Sequence, residues 1–145
     1  PSKRILDYAV RMVESGATLK DIQDHLWFGF CCHTNYPVYY DGLLDFCFSL
    51  YERFRESKEV DCVPKIMLLL GRVYSAKKEY LPACRFYKVA RESFKGHEGI
   101  TAMEFFREEL RTPEAQKQIG LSKEQFEDKY SADTPESLVE EYRPG

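Results

Sequence analysis

Cys31, Cys32 and His33 stand together and are the first residues of this chain whose types could do chemistry. A cysteine becomes a nucleophile when a base takes its proton and a third group orients that base. A zinc ion needs four ligands at tetrahedral spacing. Neither set is completed here. His25, His33 and His97 lie far apart in the chain, no CxxC pair occurs among Cys31, Cys32, Cys47, Cys62 and Cys84, and no second Cys/His cluster exists. Carboxylates are plentiful but fall on polar helix faces, and there is no phosphate-binding glycine loop or triad signature. The expectation is a protein with no catalytic residue, no metal and no cofactor: not an enzyme. An enzyme using Cys31 or Cys32 ranks last among the readings. The cysteines are expected to act as buried, reduced, small apolar residues, which points to the cytoplasm or the nucleus.

The other chemistry on offer is electrostatic. Lys77, Lys78, Arg85, Lys88, Arg91 and Lys95 form a basic stripe, and between Arg72 and Lys95 seven basic residues face only Glu79 and Glu92. Such a stripe could take an acidic protein segment, this chain's own tail included, or an RNA backbone. Its commonplace role is a solvated outer face. The net charge of the whole chain, −3, lacks the footprint of a general nucleic-acid binder. A helix-turn-helix-like pair over 5–27 is a second route to nucleic acid. The next residues in the chain, Trp27-Phe28-Gly29-Phe30, are apolar where a groove reader needs basic or amide side chains, and residues 1–40 hold four bases against four acids. Nucleic-acid binding is therefore the alternative reading and not the leading one.

These residues must be positioned by helices, because helical periodicity dominates the chain. At 145 residues it is long enough for one domain with a sizeable core, and 14 % of it is aromatic. No signal-peptide pattern is read in it, and no apolar run approaches a membrane span. It opens at Pro1 without Met, and the sequence does not tell whether it is a piece of a longer protein. The most regular stretch is Pro64 to Lys95. Met67, Leu70, Gly71 and Tyr74 recur at helical spacing in its first half, and Ala83, Phe86, Tyr87, Ala90 and Phe94 in its second. Gly71, Ala83 and Ala90 are small where two helices must approach, and Pro82 falls in the first turn of the second helix. The spacing predicts a helical hairpin.

The order Leu70-Gly71, Tyr74, Tyr80, Ala83, Tyr87, Ala90 is similar to the tetratricopeptide (TPR) consensus over residues 64–97. It departs from that pattern at Met67 and at Lys95. The resemblance implies an all-α fold of antiparallel hairpins stacked as a short solenoid, acting as an adaptor that holds a partner peptide or helix in a concave groove. Carried over by position, the groove residues would be Lys65, Leu68, Leu69, Arg72, Ser75 and Ala76. The lysine–asparagine clamp by which some members hold a carboxylate is not matched, since Leu68 and Arg72 stand at those positions. An apolar groove with one arginine suits a partner helix.

Around this hairpin, Ser2 to Glu14 predicts a helix closed by Gly16, and Thr18 caps another carrying Leu19, Ile22 and Leu26. A third runs from about Tyr39 to Ser57 after the turn signal Asn35-Tyr36-Pro37, and a terminal helix from about Glu98 to Leu110. Residues 1–111 are expected to form the helical-repeat-like domain, and 112–145 an acidic extension of short helices carrying −4. Thr112-Pro113 and Thr134-Pro135 read as helix starts. That extension is expected to fold back on the basic stripe through Phe126, Tyr130, Leu138, Val139 and Tyr142, and so to compete with an acidic partner.

Overall fold

The computed structural model describes residues 2–32 and 37–144, with side chains for 4–27 and 39–144. The described residues form nine α-helices and no strand: α1 (Ser2–Glu14), α2 (Leu19–Cys32), α3 (Pro37–Phe54), α4 (Cys62–Ala76), α5 (Tyr80–Ser93), α6 (Glu98–Leu110), α7 (Pro113–Ile119), α8 (Lys123–Lys129) and α9 (Pro135–Tyr142). The all-helical expectation holds. His33 and the Asn35-Tyr36 part of the turn signal lie outside the described residues, as do the side chains of Cys31 and Cys32.

The hairpin of α4 and α5 is the hub. α5 packs on α4 and α6, α3 packs on α4, and α7 and α9 close over α5. Gly71 is what lets α4 and α5 meet: a Cβ there would lie 2.5 Å from two ring carbons of Tyr87 and 3.3 Å from the Ala83 carbonyl oxygen. Ala83, Phe86, Tyr87 and Ala90 are fully buried on the facing side of α5, and the Tyr74 and Phe86 rings stack at 5.6 Å. α4 has little polar face, because Ile66 to Leu70 are all buried. A helix apolar on most sides must be surrounded, and α3, α5 and α2 surround this one.

Long-range hydrogen bonds tie the helix ends. Glu59, in the α3–α4 connection, accepts from the backbone N–H of Leu19 (3.0 Å) and Lys20 (3.1 Å), joining Thr18, which accepts from Asp21 N–H, in capping α2. Asp61 sits in the left-handed region at φ 57° at the start of α4. Its carboxylate accepts from Lys95 N–H at 2.9 Å and Gly96 N–H at 3.0 Å, fixing the exit of α5 to the entry of α4. The tight α4–α5 turn, with Lys78 at φ 64°, is held by Gln118 of α7, which donates to the Lys78 carbonyl and accepts from Tyr80 N–H.

The C-terminal segment shares this core. Phe126 and Leu138 are fully buried with Val139 beside them, and Tyr142 packs its ring on Tyr74 and Phe86, each at 5.7 Å. Both predicted helix starts occur: Thr112 accepts from Ala115 N–H, and Thr134 forms a reciprocal capping box with Ser137. Ser122 and Gln125 make another at α8. Cys47, Cys62 and Cys84 are free and buried, and burial raises the thiol pKa of all three.

Candidate partner-binding face

The pitch of α4 decides where the six groove positions lie. Leu68 and Arg72, four residues apart, open onto two clefts on the side of α4 that faces α2 and α6. The first, about 290 Å³, is lined by Gln23, Asp24 and Trp27 of α2, Leu68 of α4, and Glu98 and Thr101 of α6. The second, about 280 Å³, is lined by Arg72, Tyr87, Phe105, Glu108, Glu109 and Thr112. Ser75 lies beside the second and donates to Glu109. Leu69 does not belong to a groove: it is fully buried, one residue round the helix from Leu68 and therefore turned into the core. Lys65 is also buried, its ammonium donating to the Val60 carbonyl at 3.3 Å, and Ala76 packs against the core.

Arg72 divides the two clefts. Its guanidinium lies 4.6 Å from the Phe105 ring centroid and 5.5 Å from that of Trp27, whose rings are 5.8 Å apart. Its Nε is buried and meets no acceptor among the described residues, so aromatic faces rather than carboxylates hold it. Behind it, burial raises the Tyr87 phenol pKa, and the Arg72 charge pulls against that rise. Leu68 forms an apolar floor. The acids of the lining, Asp24, Glu98, Glu108 and Glu109, outnumber its single cation, Arg72. Of the residues that line these clefts, the sequence reading named Leu68 and Arg72 and did not name Phe105, Glu98, Thr101 or Glu109. The helical spacing of Glu98, Thr101, Phe105 and Glu109 on α6 was the available signal, since these positions share one face.

The basic stripe is a different object from the exposed row read off the sequence. Arg85 and Lys88 are 8 % and 1 % exposed. Arg85 makes a bidentate pair with Asp133 (2.9 Å on both arms) and reaches Glu141 at 2.6 Å and the Tyr142 hydroxyl at 3.1 Å. Lys88 donates to Glu92 at 3.0 Å and to the Tyr130 carbonyl at 3.0 Å, and Arg91 donates to Glu127 at 2.8 Å. Lys77 pairs with Asp41 at 2.7 Å and Glu79 at 3.3 Å. Only Lys78 and Lys95 of the six are exposed. The attraction that periodicity placed on a solvated face is used inside the molecule, where α8 and α9 cover α5. The 5–27 pair, α1 and α2, likewise turns Leu19, Ile22 and Leu26 into the core, with His25 Nε2 2.9 Å from the Ile5 carbonyl oxygen.

Among the described residues no group of three or more His, Cys, Asp or Glu could hold a metal, and no helix is long and apolar enough to cross a membrane. The chain matches no protein-family model, no curated protein and no solved structure with which it was compared.

Proposed function

We propose that this chain is a non-enzymatic interaction module of TPR-like design that holds a partner peptide or helix on the face made by α2, α4 and α6. The observation that carries this reading is the continuity of that face: alternate helices contribute Trp27, Leu68, Arg72 and Phe105 to two adjoining clefts. In the TPR solenoid that residues 64–97 resemble, the first helix of each hairpin lines the concave side, and α4 is the helix that stands at that position here; α6 and α2, which packs chiefly on α1, flank it. The occupant is basic and amphipathic. Apolar side chains fit the Leu68 floor and the edges of Trp27 and Phe105, and lysines or arginines meet Asp24, Glu98 and Glu108 on the rim. Nucleic acid on the basic stripe is disfavoured, because Lys77, Arg85, Lys88 and Arg91 are paired internally and only Lys78 and Lys95 of the six are exposed.

The test is a titration of a labelled, Leu/Lys-rich helical peptide and its Leu/Glu counterpart. The Leu/Lys peptide should bind and the Leu/Glu peptide should not. The rim variant Asp24→Lys, Glu98→Lys should weaken the Leu/Lys peptide by about tenfold or more while the circular dichroism spectrum stays unchanged. Filling the first cleft with Thr101→Arg should do the same. Equal affinity of both peptides, or indifference to both variants, would overturn the reading.

A further inference from the structure

A third cleft lies at the C-terminal end of α6, lined by other residues than the acidic face, and its chemistry is the reverse. Arg107, Leu110 and Arg111 of α6 and the turn after it, Gln116 on α7, and Gly120 to Lys123 at the α7–α8 junction line a cavity of about 460 Å³. Three of these residues are cations and none is an acid, in a chain whose net charge is −3. Like charges brought to one cleft repel, so this arrangement carries a cost that an anion would relieve.

The ion pairs nearby leave that charge available. Arg107 forms no ion pair among the described residues. Arg111 reaches Glu108 only at 3.6 Å, with both side chains more than 70 % exposed. Lys123 pairs with Glu127 at 2.9 Å, but Arg91 holds the same carboxylate at 2.8 Å. Exposed pairs of this kind contribute about 0–1 kcal/mol and exchange readily.

The walls, in contrast, are fixed. Gln116 donates through Nε2 to the Leu110 carbonyl at 2.6 Å and to the Leu121 carbonyl at 2.9 Å, bridging the two sides. Gly120 takes the left-handed turn at φ 67°, and the Ser122–Gln125 capping box sets the far wall. Leu110 is buried and Leu121 half-buried, which gives the cleft an apolar floor under a cationic rim.

We propose that this cleft binds a small organic phosphate, with the phosphate between Arg107, Arg111 and Lys123 and the apolar part over Leu110 and Leu121. Arginine suits the role because its planar fork meets phosphate oxygens in pairs. The proposal does not rest on the partner-binding face, whose lining shares none of these residues.

The experiment is an amide NMR titration of the full chain with phenyl phosphate, inorganic phosphate and benzyl alcohol. Phenyl phosphate should give saturable shifts confined to about residues 107–123, should bind more tightly than inorganic phosphate, and should weaken as salt rises. Benzyl alcohol alone should give none. The double variant Arg107→Gln, Arg111→Gln alters exposed ends only, and should lower affinity about tenfold or more with an unchanged spectrum elsewhere. The variant Lys95→Gln, on an exposed cation outside the cleft, should change nothing. Absence of saturation with phenyl phosphate, shifts spread over the surface, or full affinity in the double variant would overturn the proposal. Equal affinity for inorganic and phenyl phosphate would overturn its organic half.

Discussion

Gly71 decides how closely the two central helices approach, and it does so against its own helix propensity. Alanine is worth about 1 kcal/mol more than glycine in a helix interior, so Gly71→Ala would be stabilising if space allowed. The added Cβ would stand 2.5 Å from two ring carbons of the fully buried Tyr87 and 3.3 Å from the Ala83 carbonyl oxygen. Overpacking costs about 1–3 kcal/mol, and here it wins. Chemical denaturation of Gly71→Ala should show a lower midpoint, and a raised midpoint would mean that the Tyr87 packing is wrong. Glu59 is a second residue with a single assignable effect. Its carboxylate serves two N–H groups at the start of α2, so Glu59→Ala should cost about 1–2 kcal/mol, with the loss read as faster amide exchange at Leu19 and Lys20.

Element by element, the closure of α8 and α9 over α5 depends on one buried charge pair. The side chains of Arg85 and Asp133 are 10 % and 11 % exposed, while Glu141 is half exposed. Arg85→Met would strand the Asp133 carboxylate and should cost about 3–5 kcal/mol. Adding Asp133→Leu should recover part of that loss, since an apolar pair replaces an ionic one without an orphan charge. Glu141→Gln should change stability by about 0–1 kcal/mol. Tyr130→Ala should exceed any single Glu→Gln here, because Tyr130 packs on Phe126 at 4.7 Å and under Arg85 at 4.6 Å. A cycle of thermal unfolding midpoints checks the set, and additivity of the Arg85 and Asp133 variants would refute the coupling. Removing 112–145 would uncover Phe106, which meets Phe126 at 5.4 Å, would orphan Arg85, and would leave Lys88 with Glu92 alone. The shortened chain should therefore lose cooperative unfolding rather than gain affinity for a partner.

For the whole molecule, the buried phenols and thiols set a direction for pH. Burial pushes Cys47 from 9.0 and Tyr39 from 10.0, both up to about 12, and raises Cys84, Tyr74 and Tyr87 as well. Each raised value means that the unfolded chain gives up a proton before the folded one does. Their contribution is complete below pH 9.0 and is lost as pH climbs from there toward the folded values. Glu127 works in the other direction. Lys123 and Arg91 lower its pKa, so its contribution is present above the ordinary carboxylate value of 4.5 and fades as pH falls through the lowered one. Unfolding midpoints should be level through neutral pH and fall on the alkaline side, and the full tyrosinate absorbance should be reached only together with unfolding. Full tyrosinate absorbance in a still-folded protein would contradict the burial of Tyr39, Tyr74 and Tyr87.

The chain by itself determined its helices, because periodicity, capping residues and glycines are local signals. The helices over Ser2–Glu14 and Glu98–Leu110 were legible, and so were the Thr112 and Thr134 starts and the close approach at Gly71. That Leu68 and Arg72 share one side of α4 was legible because they are four apart on one helix. Tertiary structure alone decided what each face meets. Leu69 is one step from Leu68 and just as apolar, yet the core takes it. Arg85, Lys88 and Arg91 form a stripe at helical spacing, and periodicity assigns such cations to solvent. Only the return of residues 112–142, some forty positions later in the chain, turns that stripe into the buried half of a set of ion pairs. Glu59 capping α2 and Phe105 lying on Arg72 belong with it, since contacts between residues more than thirty positions apart leave no local pattern to read.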